Sequence, residues 1–263
     1  MADFTVSFFL SFYATPSAWG IGLALIFGAI WLAGFWPPLF KKYWLWMVLV
    51  AGPFLAWAAA SFIQIPLQAL VGQALGSFWS QEVLLNWILL AGIPQVLLSG
   101  LVQEGAKLVP VVAWWGSKGR SISPKLGLAI GAVVGAGFGI LEAQWAHGQI
   151  FASGWTWQAV QAGGLVALAG FWERFFVTAF HIGASALAGY GLAKGWGWQF
   201  YLIASFLHGL INYSAVLLSA GIFDVIKVEI YAAVVAVAVT AVALWLRWRR
   251  VDEAGGGEFE PGE

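Results

Sequence analysis

An all-α transmembrane bundle of seven to eight spans is predicted by three features of this chain. Hydrophobic residues make up 61% of its 263 residues and charged residues only 9%, with a mean hydropathy of +0.85. A soluble core needs far less apolar surface, whereas helices in lipid must be apolar all round. The apolar material is also divided into runs of about 18 to 35 residues by short polar turns, which is the length scale of membrane crossings. Finally, the basic residues segregate to alternate turns. With the N-terminus outside, the inner side receives Lys41, Lys42, Lys118, Arg120, Lys125, Lys194, Arg247, Arg249 and Arg250, and an outer loop receives only Lys227. That asymmetry predicts an N-out, C-in topology.

The elements follow in order. Phe4, Phe8 and Phe12 recur every fourth residue, so Asp3 to Tyr13 reads as a short interfacial helix, ended by Pro16. Spans are expected at about 19–36 and 43–63, the second stopping near Pro66. The segment 67–79 is too short to cross and reads as interfacial or re-entrant. Residues 83–115 number 33, or about 50 Å of helix, so a tilt or a break near Gly92 and Pro94 is expected. The fourth span, 126–146, carries Gly127, Gly131, Gly135 and Gly139 on one stripe, which suits close helix packing at the centre of a bundle. Residues 147–158 read as an uncharged outer loop holding a solvated His147. The run 159–193 is divided at Glu173–Arg174, an ion pair capping a helix at the outer boundary, with the fifth span over 175–193. The sixth and seventh spans are expected at 199–219 and 228–248. The whole of 1–250 reads as one membrane domain, and 251–263, rich in Gly and Glu, as a disordered tail. Zero net charge and the few, sorted bases exclude a nucleic-acid partner, and the absence of Cys excludes disulfides and thiol chemistry.

The chemistry is expected where ionisable side chains enter the spans, because each costs at least a few kcal/mol there. Counted at about 1.5 Å per residue from the inner ends, Glu104, His181, His208, Asn212 and Glu142 fall between about 14 and 24 Å deep. Four spans thus place a carboxylate or imidazole in one slab, where the groups can satisfy one another. Glu104 and His181 suit water activation. His208 and Asn212, four apart on one helix face, suit donation to an oxyanion, with Glu142 assisting. Two Glu and two His are also acceptable zinc ligands, with Glu104, His181 and His208 the expected set, although no HExxH spacing is present. The expectation is no cofactor, with zinc the alternative.

The segments QEGAK (103–107), GAGFGILE (135–142), HIGASALAGYG (181–191) and HGLIN (208–212) follow one another on successive helices. This order resembles the PrsW/YhfC-like intramembrane proteases, relatives of the CAAX-prenyl endopeptidase superfamily, over residues 83–219. The resemblance implies a glutamic-type peptidase acting on a membrane protein or peptide within the lipid bilayer of a bacterial or archaeal cell. It places Glu104, the Phe138/Glu142 pair and the His208/Asn212 pair at the motif positions. Gln103 stands where those proteases carry the first of two adjacent Glu. That departure raises a second reading, an inactive relative that binds membrane proteins. A third is a proton-relay transporter, although no internal repeat is evident.

Overall fold

A computed structural model describes residues 2–119 and 121–249, with side chains from Thr5 onward. The described residues form helices joined by turns and short loops, without a strand. Twelve α-helices run α1 Ala2–Ala14, α2 Ala18–Phe35, α3 Trp44–Ala59, α4 Ile65–Phe78, α5 Gln81–Asn86, α6 Ile88–Ala91, α7 Ile93–Ser117, α8 Pro124–Ala152, α9 Trp157–Gly163, α10 Ala169–Ala193, α11 Gly197–Ser219 and α12 Val225–Trp248. A π-turn, Ala60–Gln64, joins α3 to α4, and a 3₁₀ turn, Gly164–Leu168, joins α9 to α10. Seven helical stretches are long and apolar enough to cross a bilayer, which makes this an integral membrane protein of bundle type. The outward faces of α2, α3, α4 and α12 carry large exposed apolar side chains such as Ile26, Met47, Leu70 and Val234, a surface that suits lipid. Ser17, Ser123 and Asp224 cap α2, α8 and α12 by accepting backbone N–H bonds. The bond from the Lys227 backbone holds the exposed Asp224 carboxyl below its ordinary pKa.

The helices α8 and α10 form the axis, and their contact is backbone on backbone. A Cβ at Gly127, Gly131 or Gly135 would stand 2.4, 2.0 or 2.1 Å from the carbonyl oxygen of Gly189, Ser185 or His181. No other residue fits at those distances, so the stripe sets how deep α10 seats and where His181 points. The helix pair α7–α11 is docked in the same way: a Cβ at Gly100 would lie 2.1 Å from the Ser205 oxygen. Around this axis a single buried cluster joins side chains of α2, α3, α7, α8, α10, α11 and α12. Phe12 of α1 stacks on Trp145 and Trp44 stacks on Trp114, at centroid distances of 5.2 and 3.8 Å.

Several expectations are corrected. The second span does not stop near Pro66. Pro66 opens α4 directly after the π-turn, where the changed bonding register absorbs the missing proline N–H and the helix continues to Phe78. The fourth span runs six residues beyond Ala146, so residues 147–152 are helix and not loop. His147 is buried, with Nδ1 3.2 Å from the Gly20 carbonyl and its ring against Phe27 and Phe171. An apolar helix end packed on α2 has no reason to unwind there. The division of 159–193 falls at Gly164, whose φ of +69° ends α9, and not at Glu173–Arg174, which lie inside α10. The breaks in 83–115 fall at Trp87 and Gly92, close to the expected place. The tail, Arg120 and Arg250 lie outside the described residues.

Candidate functional site

One polar cluster occupies the middle of the bundle, and its members are delivered by four helices, α7, α8, α10 and α11. Glu104 and Lys107, one turn apart on α7, face inward and form a buried ion pair through Glu104 Oε1. The close α7–α11 docking at Gly100 brings His208 Nδ1 to 2.7 Å from the same carboxylate oxygen. The α8–α10 docking at Gly135 presents His181, whose Nδ1 lies 3.1 Å from Lys107 Nζ and whose Nε2 lies 3.0 Å from Glu142 Oε2. Arg174 Nη1 reaches that Glu142 oxygen at 2.9 Å, and its Nη2 pairs with Glu173. Glu104, Lys107, His181 and His208 are 1, 0, 2 and 3% exposed. Charges so deep persist only when paired and hydrogen-bonded, and here each has a partner.

The donors determine the proton positions. Lys107 is an ammonium without acceptor capacity, so His181 Nδ1 accepts from it and His181 Nε2–H donates to Glu142. Glu104 Oε1 is an acceptor, so His208 Nδ1–H donates to it; in the neutral ring the lone pair is then on Nε2, which has no hydrogen-bond partner among the described residues. Phe138 and Phe180 set ring edges or faces against His181, and Phe180 also packs on His208. These rings hold both imidazoles in place.

A polar cleft of about 160 Å³ opens beside the cluster, lined by His181, His208, Glu142, Arg174 and Asn212, with Glu173 and Ser214 farther out. Because Ser214 and Glu173 lie toward the C-terminal end of α11 and the N-terminal end of α10, the cleft faces away from the ends that carry Lys194 and Arg247. Glu104 and Lys107 are not on its wall; they stand behind the two histidines. Comparison with protein-family models, curated proteins and solved structures finds no match to this chain.

All five expected site residues lie in or against this cluster, but their pairing differs from the expected one. Glu104 is bonded to His208, and His181 to Glu142, because α7 docks closely on α11 at Gly100 and α8 on α10 at Gly135. Asn212 lines the cleft and donates one Nδ2 proton to Ser99 Oγ at 2.9 Å. The sequence reads Arg174 as an outer cap paired with Glu173 that faces the site only if the helix bends; the pair with Glu173 is present, and Arg174 also belongs to the cluster through Glu142. Its spacing of seven from His181 puts both on one face of α10, which is the signal that identifies it. Gln103 lies off the cleft, donating to Gln64 Oε1 at 2.9 Å and Ser99 Oγ at 3.3 Å. The residue type that breaks the resemblance therefore belongs to a neutral amide strip, joined to the cleft through Ser99 and Asn212.

The zinc alternative can be tested on the donor set. Ligand atoms of Glu104, His181 and His208 all lie within 4.8 Å of one another, and Glu104 Oε2 is a buried acceptor with no partner. Three ligands of these types match an open catalytic zinc site, but the Lys107 ammonium sits between Glu104 and His181 and bonds to both. A fixed cation in that position repels a divalent one and takes up the lone pairs it needs. The residues as arranged do not fit the metal.

Proposed function

We propose that the chain is an intramembrane peptidase in which His208, oriented by Glu104, activates water in the polar cleft. The observation that carries this reading is the Glu104–His208 contact of 2.7 Å, which leaves the basic Nε2 of a cleft-lining imidazole unpaired. A carboxylate on one ring nitrogen fixes the tautomer and stabilises the imidazolium formed when the other takes a proton. Water attacking a carbonyl in the cleft gives its proton to His208 Nε2, and His208 returns it to the departing amine. The oxyanion falls to the second Nδ2 proton of Asn212 and to Arg174, both on the cleft wall. Lys107 balances Glu104 while His208 is neutral, and His181 links Lys107 to Glu142, so the cluster keeps its charges compensated.

A peptide bond is the favoured target for two reasons. The segments QEGAK, FGILE and HGLIN resemble those of PrsW-like proteases, and a cleft of about 160 Å³ suits one extended peptide unit with its water better than a bulky headgroup. The same resemblance favours a bacterial or archaeal cell membrane. Gln103 supports the inactive-relative reading less than its motif position suggests, since its side chain faces Gln64 and Ser99.

The chain of contacts Glu104–Lys107–His181–Glu142–Arg174–Glu173 favours one other reading, a proton path. Purified chain in liposomes with membrane-spanning substrate peptides separates the two. Cleavage that is lost in both His208→Ala and Glu104→Gln, with the folded protein retained, supports the peptidase. Absence of cleavage together with proton-coupled flux abolished by Glu104→Gln would replace it with transport.

A further inference from the structure

A second and larger cavity, of about 630 Å³, lies between α2, α3, α8 and the end of α12. Its walls are apolar: Leu25, Ala29, Leu32, Leu49 and Ile140. The wall residues of α2 run from Leu25 to Trp36, roughly 16 Å at 1.5 Å per residue. That is about half of the ~30 Å hydrocarbon thickness of a bilayer, the depth of one leaflet. Among the described residues no carboxylate lines the cavity, and its mouth is basic, with Lys41 and Arg247.

The mouth is a built feature. Trp36 is the one non-glycine described residue with positive φ, at 45°, a conformation that persists where the surroundings impose it. Arg247 imposes it here. Its Nε donates to the Phe35 carbonyl at 2.7 Å and its Nη2 to the Trp36 carbonyl at 3.2 Å, while its guanidinium lies 4.9 Å from the Trp248 ring centre. Trp248 in turn donates to the Gly34 carbonyl at 2.9 Å. Of five guanidinium N–H groups two are used among the described residues, so a fixed cation retains donors for a further acceptor. The chain then turns through Pro37 and Pro38 to carry Lys41 over the opening, exposed and without a carboxylate partner among the described residues.

We propose that this cavity holds an acyl chain of an anionic glycerophospholipid, whose phosphate lies between Lys41 and Arg247. An apolar slot one leaflet deep selects a fatty chain, and two cations at interface level, without an ion-pair partner among the described residues, select a negative headgroup. Basic pockets between membrane helices bind anionic lipids by this combination. A zwitterionic lipid fills the slot equally well but brings its own ammonium to the mouth, so the two cations gain less from it.

The test is native mass spectrometry of the full chain in a non-ionic detergent, with equimolar phosphatidylglycerol and phosphatidylcholine of identical acyl chains. Phosphatidylglycerol should be retained at least about tenfold over phosphatidylcholine, since each basic residue near an anionic lipid is worth about fivefold. Lys41→Ala should cut that preference about fivefold while leaving the unfolding midpoint in place. Ala33→Trp, which fills the cavity from an exposed position on α2, should lower retention of both lipids. Equal retention of the two lipids, an unchanged preference in Lys41→Ala, or undiminished binding in a folded Ala33→Trp would each overturn the proposal.

Discussion

Glu104 and His208 meet across α7 and α11 with Oε1 and Nδ1 2.7 Å apart, while the second oxygen of the same carboxylate is buried without a partner. The pair is held from both sides: Lys107 ties Glu104 to its own helix, and Phe180 packs on the His208 ring. A base built in this way is a unit, and its members should fail together. On the peptidase reading, Glu104→Gln and His208→Ala should each lower the cleavage rate by about 10²–10⁴-fold, and the double variant should be little worse than either single one. Single-turnover cleavage measures this; multiplied losses in the double variant would mean that the two residues act separately.

The Glu104–Lys107 pair carries a stability prediction that does not depend on activity. Removing only one partner leaves a buried charge, so Glu104→Ala or Lys107→Met alone should each cost about 3–5 kcal/mol. Replacing both with Glu104→Gln and Lys107→Met together should recover part of that loss. Chemical unfolding in detergent gives the comparison. A double variant no more stable than the worse single one would show that the pair is not a coupled unit.

Arg174 joins Glu142 and Glu173 through two different nitrogens. A lysine has one ammonium and cannot reproduce that fork. Arg174→Lys should therefore resemble Arg174→Gln in lowering cleavage, by about tenfold or more on the peptidase reading. Rescue by lysine would show that charge alone is needed.

Gln103 donates to Gln64 and Ser99, and a carboxylate there can donate to neither. Gln103→Glu should destabilise the protein by about 1–3 kcal/mol, the cost of an unsatisfied buried group, and should not raise cleavage. A gain of activity in this variant would place Gln103 in the chemistry, against the geometry.

The α8–α10 seam makes the sharpest packing prediction. Gly131→Ala must move a backbone carbonyl now 2.0 Å from the new Cβ position, whereas Gly76→Ala meets nothing within 4 Å. The first should lower the thermal midpoint clearly and disturb His181 together with it; the second should be close to neutral. Thermal unfolding of both in one detergent decides.

Chelation gives a last check. With the Lys107 ammonium between Glu104 and His181, cleavage should persist after extensive treatment with a strong chelator. Loss on chelation with recovery on added zinc would show that Lys107 moves aside for a metal.

By itself, the sequence determined what local composition controls. Apolar run length determined an all-helical bundle of seven to eight spans, the glycine stripe marked α8 as central, and the cost of charge in lipid singled out Glu104, Glu142, His181 and His208. Breaks at Gly92 were legible because glycine and proline act locally. Only the tertiary structure decided the rest. The partner that Glu104 takes depends on how closely α7 and α11 approach at Gly100, and the placing of Arg174 depends on which residue of α8 faces it. His147 read as solvated because nothing nearby in sequence announces that α8 continues onto α2. Pro66 read as a stop because a π-turn that bridges it has no composition of its own. Pairings across helices are set by where backbones touch, a property of two segments at once that neither carries alone.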